Sequence, residues 1–144
     1  MNFEWSKNWH ETFGRSAQEI VDGWADGVDI VHEDPILDQR STTKEELLAT
    51  FAPYSNRDPD NGIGIHTFVA NEYVGNAQSG VSHWTWTAEG CSEFLGIPTN
   101  GKTISTRGVT VNVFDESGKI LREFSYWDAV SVYRQLGVVD SPSQ

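Results

Sequence analysis

From Ile63 onward the chain carries four β-rich runs in series, near residues 63–74, 79–88, 103–114 and 119–128. The links are Gly75-Asn76-Ala77-Gln78, a longer loop at 89–102, and Glu116-Ser117-Gly118, none with a helical pattern. A parallel pair needs a long crossover, so strands joined this way pair as antiparallel neighbours. The helical signals come earlier. Trp5, Trp9 and Phe13 recur at i, i+4 and i+8 until Gly14, and Ser16 with Glu19 opens a second helix through Ala17, Ile20, Val21 and Trp24 that stops by Gly27. Val28 to His32 predicts a short strand ending at Asp34-Pro35, and Thr43 with Glu46 caps a third helix over 43–51. Residues 55–62 form a polar loop, and Ala129 to Leu136 predict a closing helix stopped by Gly137. Helices first and antiparallel strands afterwards define an α+β class, with helices on one face of a bent sheet.

At 144 residues the expectation is one domain over 1–137 with a polar tail at 138–144. Ten Lys and Arg against 21 Asp and Glu give a net charge of −11, which repels phosphates and anionic headgroups and excludes nucleic acid and membrane surfaces as partners. The single cysteine, Cys91, forms no intramolecular disulfide. The first ten residues lack a secretory pattern and no run approaches the ~20 apolar residues of a membrane span, so the expected location is cytoplasmic. Six Trp, seven Phe and four Tyr supply a core and flat walls for a ring-shaped ligand.

Side chains of a strand alternate, and a tight turn at 116–118 puts Arg107, Val109, Val111 and Val113 on the face of Ile120, Arg122, Phe124, Tyr126 and Asp128. That face is mostly apolar and is expected to point inward. Thr106, Thr110, Asn112, Glu123, Ser125 and Trp127 make the other, polar face, with Trp127 a candidate dimer contact.

Three segments carry a family resemblance: Val31-His32-Glu33-Asp34-Pro35; Gly96-Ile97-Pro98-Thr99-Asn100-Gly101-Lys102; and Gly118-Lys119-Ile120 running to Tyr126-Trp127-Asp128 and Gln135-Leu136-Gly137. In order and spacing the chain resembles the SnoaL-like polyketide cyclases, of the nuclear transport factor 2-like superfamily, over roughly 15–137. The resemblance implies a cone-shaped, curved antiparallel or mixed sheet wrapped around N-terminal helices. It implies a cofactor-free cyclase or isomerase in which Asp128 is the acid/base on a polyketide-like or other polycyclic small molecule. Related epoxide hydrolases use an Arg-x-Asp pair; here Val109 follows Arg107 two residues on, which argues against that reaction.

On this reading Asp128 moves the proton and Arg107 and Tyr126 orient it, while His32, His66, His83, Phe124, Val109 and Trp24 line the substrate site. Asp128 also precedes Ala129-Val130-Ser131, where a carboxylate caps a helix. His66 and His83, placed on one face by an odd-sum register, lack a third ligand, and no metal is expected. No phosphate loop and no Gly-x-Ser-x-Gly elbow occurs. A non-catalytic small-molecule binder, or an interaction module built around Trp127, uses the same features. The expected assembly is a homodimer.

Overall fold

In the computed structural model, residues 1–140 are described. The expected caps at Ser16 and Thr43 form, and Asn2 adds one that the sequence reading did not include. Asn2 accepts from the Trp5 amide ahead of α1 (Phe3–Phe13), Ser16 from Glu19 ahead of α2 (Ala17–Asp22), and Thr43 from Glu46 ahead of α3 (Lys44–Phe51). A 3-10 turn, Ala52–Ser55, follows α3. The aromatic stripe of α1 packs against the sheet: Trp5 meets Phe114 edge-on at 5.0 Å, and Phe13 meets Phe68 at 5.3 Å. α2 ends earlier than expected. The chain leaves the helix at Gly23, and Ile120 then donates to the Gly23 carbonyl and accepts from the Ala25 amide, which satisfies these backbone groups without another helical turn.

The first strand also begins later than predicted. β1 is Val31–Asp34, and a three-residue β2, Gln39–Ser41, pairs back on it. The long strands match their predicted runs closely: β3 (Ile65–Gly75), β4 (Ser79–Glu89), β7 (Ile104–Phe114) and β8 (Ile120–Trp127). The loop between β4 and β7 folds a small hairpin of its own, β5 (Glu93–Phe94) with β6 (Ile97–Pro98). α4 (Ala129–Gln135) closes the chain, and residues 141–144 of the expected tail lie outside the described residues. The six-stranded order is β2-β1-β8-β7-β4-β3, antiparallel except for the parallel pair β1–β8, so the sheet is mixed, as the α+β reading allowed.

Facing is where the sequence reading needs correction. Residues opposite one another share a face as expected, Val109 with Tyr126 and Val111 with Phe124. That valine-rich face, however, points away from the helices, and Tyr126 is 51% exposed. The polar face, with Thr106, Thr110, Asn112 and Glu123, is the buried one. Polarity misleads here because these groups bond one another instead of water: Trp84 Nε1 donates to Thr110 Oγ1 at 2.8 Å, and Thr110 shares a hydroxyl bond with Ser125 at 2.8 Å. Trp127 therefore points inward, which overturns its reading as a dimer contact. Among the described residues no helix is long and apolar enough to cross a membrane.

Gly108 makes this packing possible. It sits between Trp84 and Trp127 in the cross-strand row, and a Cβ placed on it comes within 2.4 Å of the Trp84 indole and 2.8 Å of the Tyr126 carbonyl oxygen. Gly108→Ala is expected to destabilise the chain by about 1–3 kcal/mol through overpacking. Urea unfolding against the wild type checks this, and an unchanged midpoint contradicts it.

Candidate functional site

The inward face of the sheet, α1, and the segment from α3 through the 3-10 turn enclose a cavity with about 690 Å3 of empty space, counted to and including its mouth. Its walls are aromatic: Trp9, Trp84, Trp86 and Trp127, with Tyr54 and four phenylalanines. Its polar groups are His10, His32, Asp34 and Glu123, with Gln39, Thr106, Thr110 and Ser125 among the rest. Aromatic walls with a few convergent polar groups are the character of a small-molecule site.

Two carboxylates are placed by strand register. β1 alternation turns His32 and Asp34 inward and Glu33 outward, where Glu33 pairs with Arg40 at 3.0 Å. The parallel pairing then sets His32 directly beside Glu123, and the β7–β8 pairing sets Asn112 on the other side of Glu123. Glu123 is 2% exposed. Its Oε2 accepts from Asn112 Nδ2 at 2.8 Å and from Trp9 Nε1 at 3.3 Å, and its Oε1 lies 3.4 Å from His32 Nδ1 without full hydrogen-bond geometry. Burial pushes the Glu123 carboxyl up, but the adjoining His32, the Asn112 amide and nearby His10 more than reverse this and hold it below the ordinary carboxylate value.

Asp34 ends β1 and turns the chain. Its Oδ1 accepts the amides of Ile36 and Leu37 at 3.1 and 3.0 Å, and Trp127 Nε1 reaches Oδ1 at 3.2 Å and Oδ2 at 3.0 Å. Among the described residues Oδ2 thus has only the indole as its donor, and it keeps lone-pair capacity for the cavity. Tyr54 is raised to about 12, first by burial and then by the negative charge of Asp34, so its phenol stays a hydrogen-bond donor at neutral pH. His10 Nδ1 lies 2.7 Å from the Ser6 carbonyl, which only accepts, so Nδ1 carries the proton and Nε2 the lone pair. Burial lowers His10, outweighing its bond to Ser6 and the charge of Glu123.

Of the residues expected in the site, His32 alone lines this cavity. His66 is buried behind Trp86: its Nδ1 accepts from Trp86 Nε1 at 3.0 Å and its Nε2 donates to the Ile63 carbonyl at 3.1 Å. His83 is exposed on the other face. An irregularity between Ala70 and Glu72 changes the β3–β4 register, so the two histidines do not share a face as the odd-sum register predicted. Trp24 is wholly buried behind His32 at 6.5 Å between ring centroids, in the core rather than the cavity. Val109, Phe124 and Tyr126 lie on the outward face. Asp128 is exposed and accepts from the Ser131 amide at 3.0 Å as the N-cap of α4. Asp128 and Arg107 do come together, but around a shallow surface depression with Thr85, Ser105 and Ser131, and no ion pair joins them among the described residues.

The profile of the SnoaL-like polyketide cyclases matches residues 17–136. The chain belongs to this family. No sequence among the curated proteins matches it significantly. Among solved structures, a SnoaL-like polyketide cyclase from Shewanella denitrificans OS-217 is similar, with a TM-score of 0.70, 17% identity, and 89% of this chain and 90% of that one covered. A polyketide cyclase from Pseudomonas putida KT2440 gives a TM-score of 0.67 at 18% identity, covering 94% and 98%. A ketosteroid isomerase-like protein from Catenulispora acidiphila DSM 44928, in complex with trimethylamine, gives 0.66 at 14%, covering 91% and 90%. These likenesses show the cone-shaped α+β fold.

His10 and Glu123 make the site acid-sensitive. Both are lowered, so the folded chain binds fewer protons than the unfolded chain between the folded and ordinary values. Stability is therefore expected to fall as pH drops below the ordinary histidine value of 6.5, with His66 contributing the same sign, and to fall again below the ordinary carboxylate value of 4.5. Urea midpoints across pH 3–8 should show both slopes, with Glu123→Gln flattening the lower one. A stability that rises on acidification contradicts the assignment.

Proposed function

We propose that the protein is a cofactor-free acid–base catalyst of the cyclase or isomerase type, acting on an apolar, ring-bearing small molecule of polyketide-like character. The observation that carries this is a carboxylate in an aromatic cavity: Asp34, with Oδ2 held by one indole donor and a high-pKa phenol, Tyr54, in the same wall. Asp34 Oδ2 removes a proton from a carbon next to a carbonyl, and Tyr54 donates a hydrogen bond to the enolate oxygen. In ring closure the enolate carbon attacks a second carbonyl, whose π electrons become an alkoxide. Asp34 then returns the proton to that oxygen, so nothing is consumed. His10 Nε2 and His32 supply further polar contacts. Asp128 retains the cap, with Arg107 beside it.

The test is deuterium uptake from D2O at the acidic carbon of polycyclic β-dicarbonyl compounds, followed by mass spectrometry. Wild type should exceed background and Asp34→Asn should lose roughly 100-fold or more, in the range a general base supplies. Asp128→Ala should keep the exchange and instead cost about 1 kcal/mol of stability as a lost cap. Wild-type rates in Asp34→Asn, or loss of exchange in a folded Asp128→Ala, reassign the base. No exchange by the wild type on any of the compounds favours a non-catalytic binder.

The outward face supports a homodimer. Val109, Val111, Phe124 and Tyr126 form an apolar surface across β7 and β8, and Tyr126 is 51% exposed. A face of this extent matches a second copy of itself by two-fold symmetry. Light scattering should give twice the chain mass, falling to one chain mass in Tyr126→Lys; a monomeric wild type rules this interface out.

A further inference from the structure

The hydrogen bonds of the cavity wall are arranged with one bias. All four cavity tryptophans have their only donor committed to the protein: Trp9 to Glu123, Trp84 to Thr110, Trp86 to His66 and Trp127 to Asp34. Each indole therefore presents its π face or edge, not its N–H. His10 gives its proton to the Ser6 carbonyl, which leaves a lone pair at Nε2. Asp34 Oδ2 adds a negative oxygen. Among the described residues no Lys or Arg lines the cavity, and the chain carries a net charge of −11. The interior is thus rich in acceptors and in aromatic faces, with the Tyr54 phenol among its few donors. An anionic ligand meets no compensating charge there, whereas an organic cation meets ring quadrupoles, a carboxylate and a favourable long-range field.

We infer that the ligand of this cavity carries a positively charged nitrogen, an ammonium group on an apolar body, seated between the indole faces and Asp34. The inference rests on the proposed use of the cavity as the ligand site and adds the charge of the ligand. An amine-bearing ring compound satisfies both. The ammonium lies on the indole faces in the field of Asp34 and leaves Oδ2 free for the acidic carbon, and the apolar body covers the phenylalanine wall.

Three probes of one shape separate charge from size: 4-hydroxyphenyltrimethylammonium, 4-tert-butylphenol and 4-hydroxybenzenesulfonate. Their binding to the full chain is measured by calorimetry and by quenching of tryptophan fluorescence. The cation is expected to bind at least about tenfold more tightly than the neutral isostere, as a desolvated cation–π contact allows, with the sulfonate weakest. Asp34→Asn should reduce the cation's advantage over the neutral probe. Equal or tighter binding of 4-tert-butylphenol overturns the charge inference while leaving the cavity as a binding site. Preference for the sulfonate, or failure of all three to bind the wild type, overturns it as well. The wild-type comparison stands even where Asp34→Asn folds poorly, and deuterium exchange reports separately on catalysis.

Discussion

The parallel pairing of β1 with β8 is the constraint on which the rest of the site depends. It brings His32 opposite Glu123, with Asn112 across the next strand, so that one buried carboxylate is surrounded by groups that favour its charge. A carboxylate buried without them would be neutral or would unfold the region. The same register carries Asp34 one step further along β1 to the edge of the cavity, where Trp127 at the end of β8 meets it. One strand pairing thus fixes both acidic groups and the histidine between them.

A second layer comes from the tryptophans. Their rings cover the cavity, and their N–H groups bond the very residues that line or support it. Each such bond removes the cost of burying an indole donor and at the same time holds the ring at a fixed angle. Gly108 leaves the space that Trp84 needs. The aromatic content of the sequence is therefore used mainly as an oriented wall, with Trp24 and Trp5 remaining in the core beneath it.

Much of the fold is legible in the sequence, since the caps at Ser16 and Thr43 and the four long strands are local signals. What escaped has physical causes. β2 and the β5–β6 hairpin are two or three residues long, too short to carry a period. The inward face was assigned by polarity, yet Val109, Val111 and Phe124 remain outside while Thr110, Asn112 and Glu123 are buried, because mutual hydrogen bonds substitute for water. The spacing His32-x-Asp34 on a strand was the available signal for two cavity groups on one face. For His10 and Tyr54 no local signal existed, since their meeting depends on how α1 and the 3-10 turn pack on the sheet.

The relation between Asp128 and Asp34 follows from these distances along β8. Asp128 lies one residue past the end of β8, where the chain turns into α4 and the carboxylate meets the Ser131 amide at the surface. Trp127, the last strand residue, points the other way and delivers its N–H to Asp34. Adjacent residues thus serve opposite faces: one starts a helix, the other anchors the cavity carboxylate. A change at Trp127 would release Asp34 from its indole donor and open the wall beside it, so this residue couples the aromatic lining to the charge it surrounds.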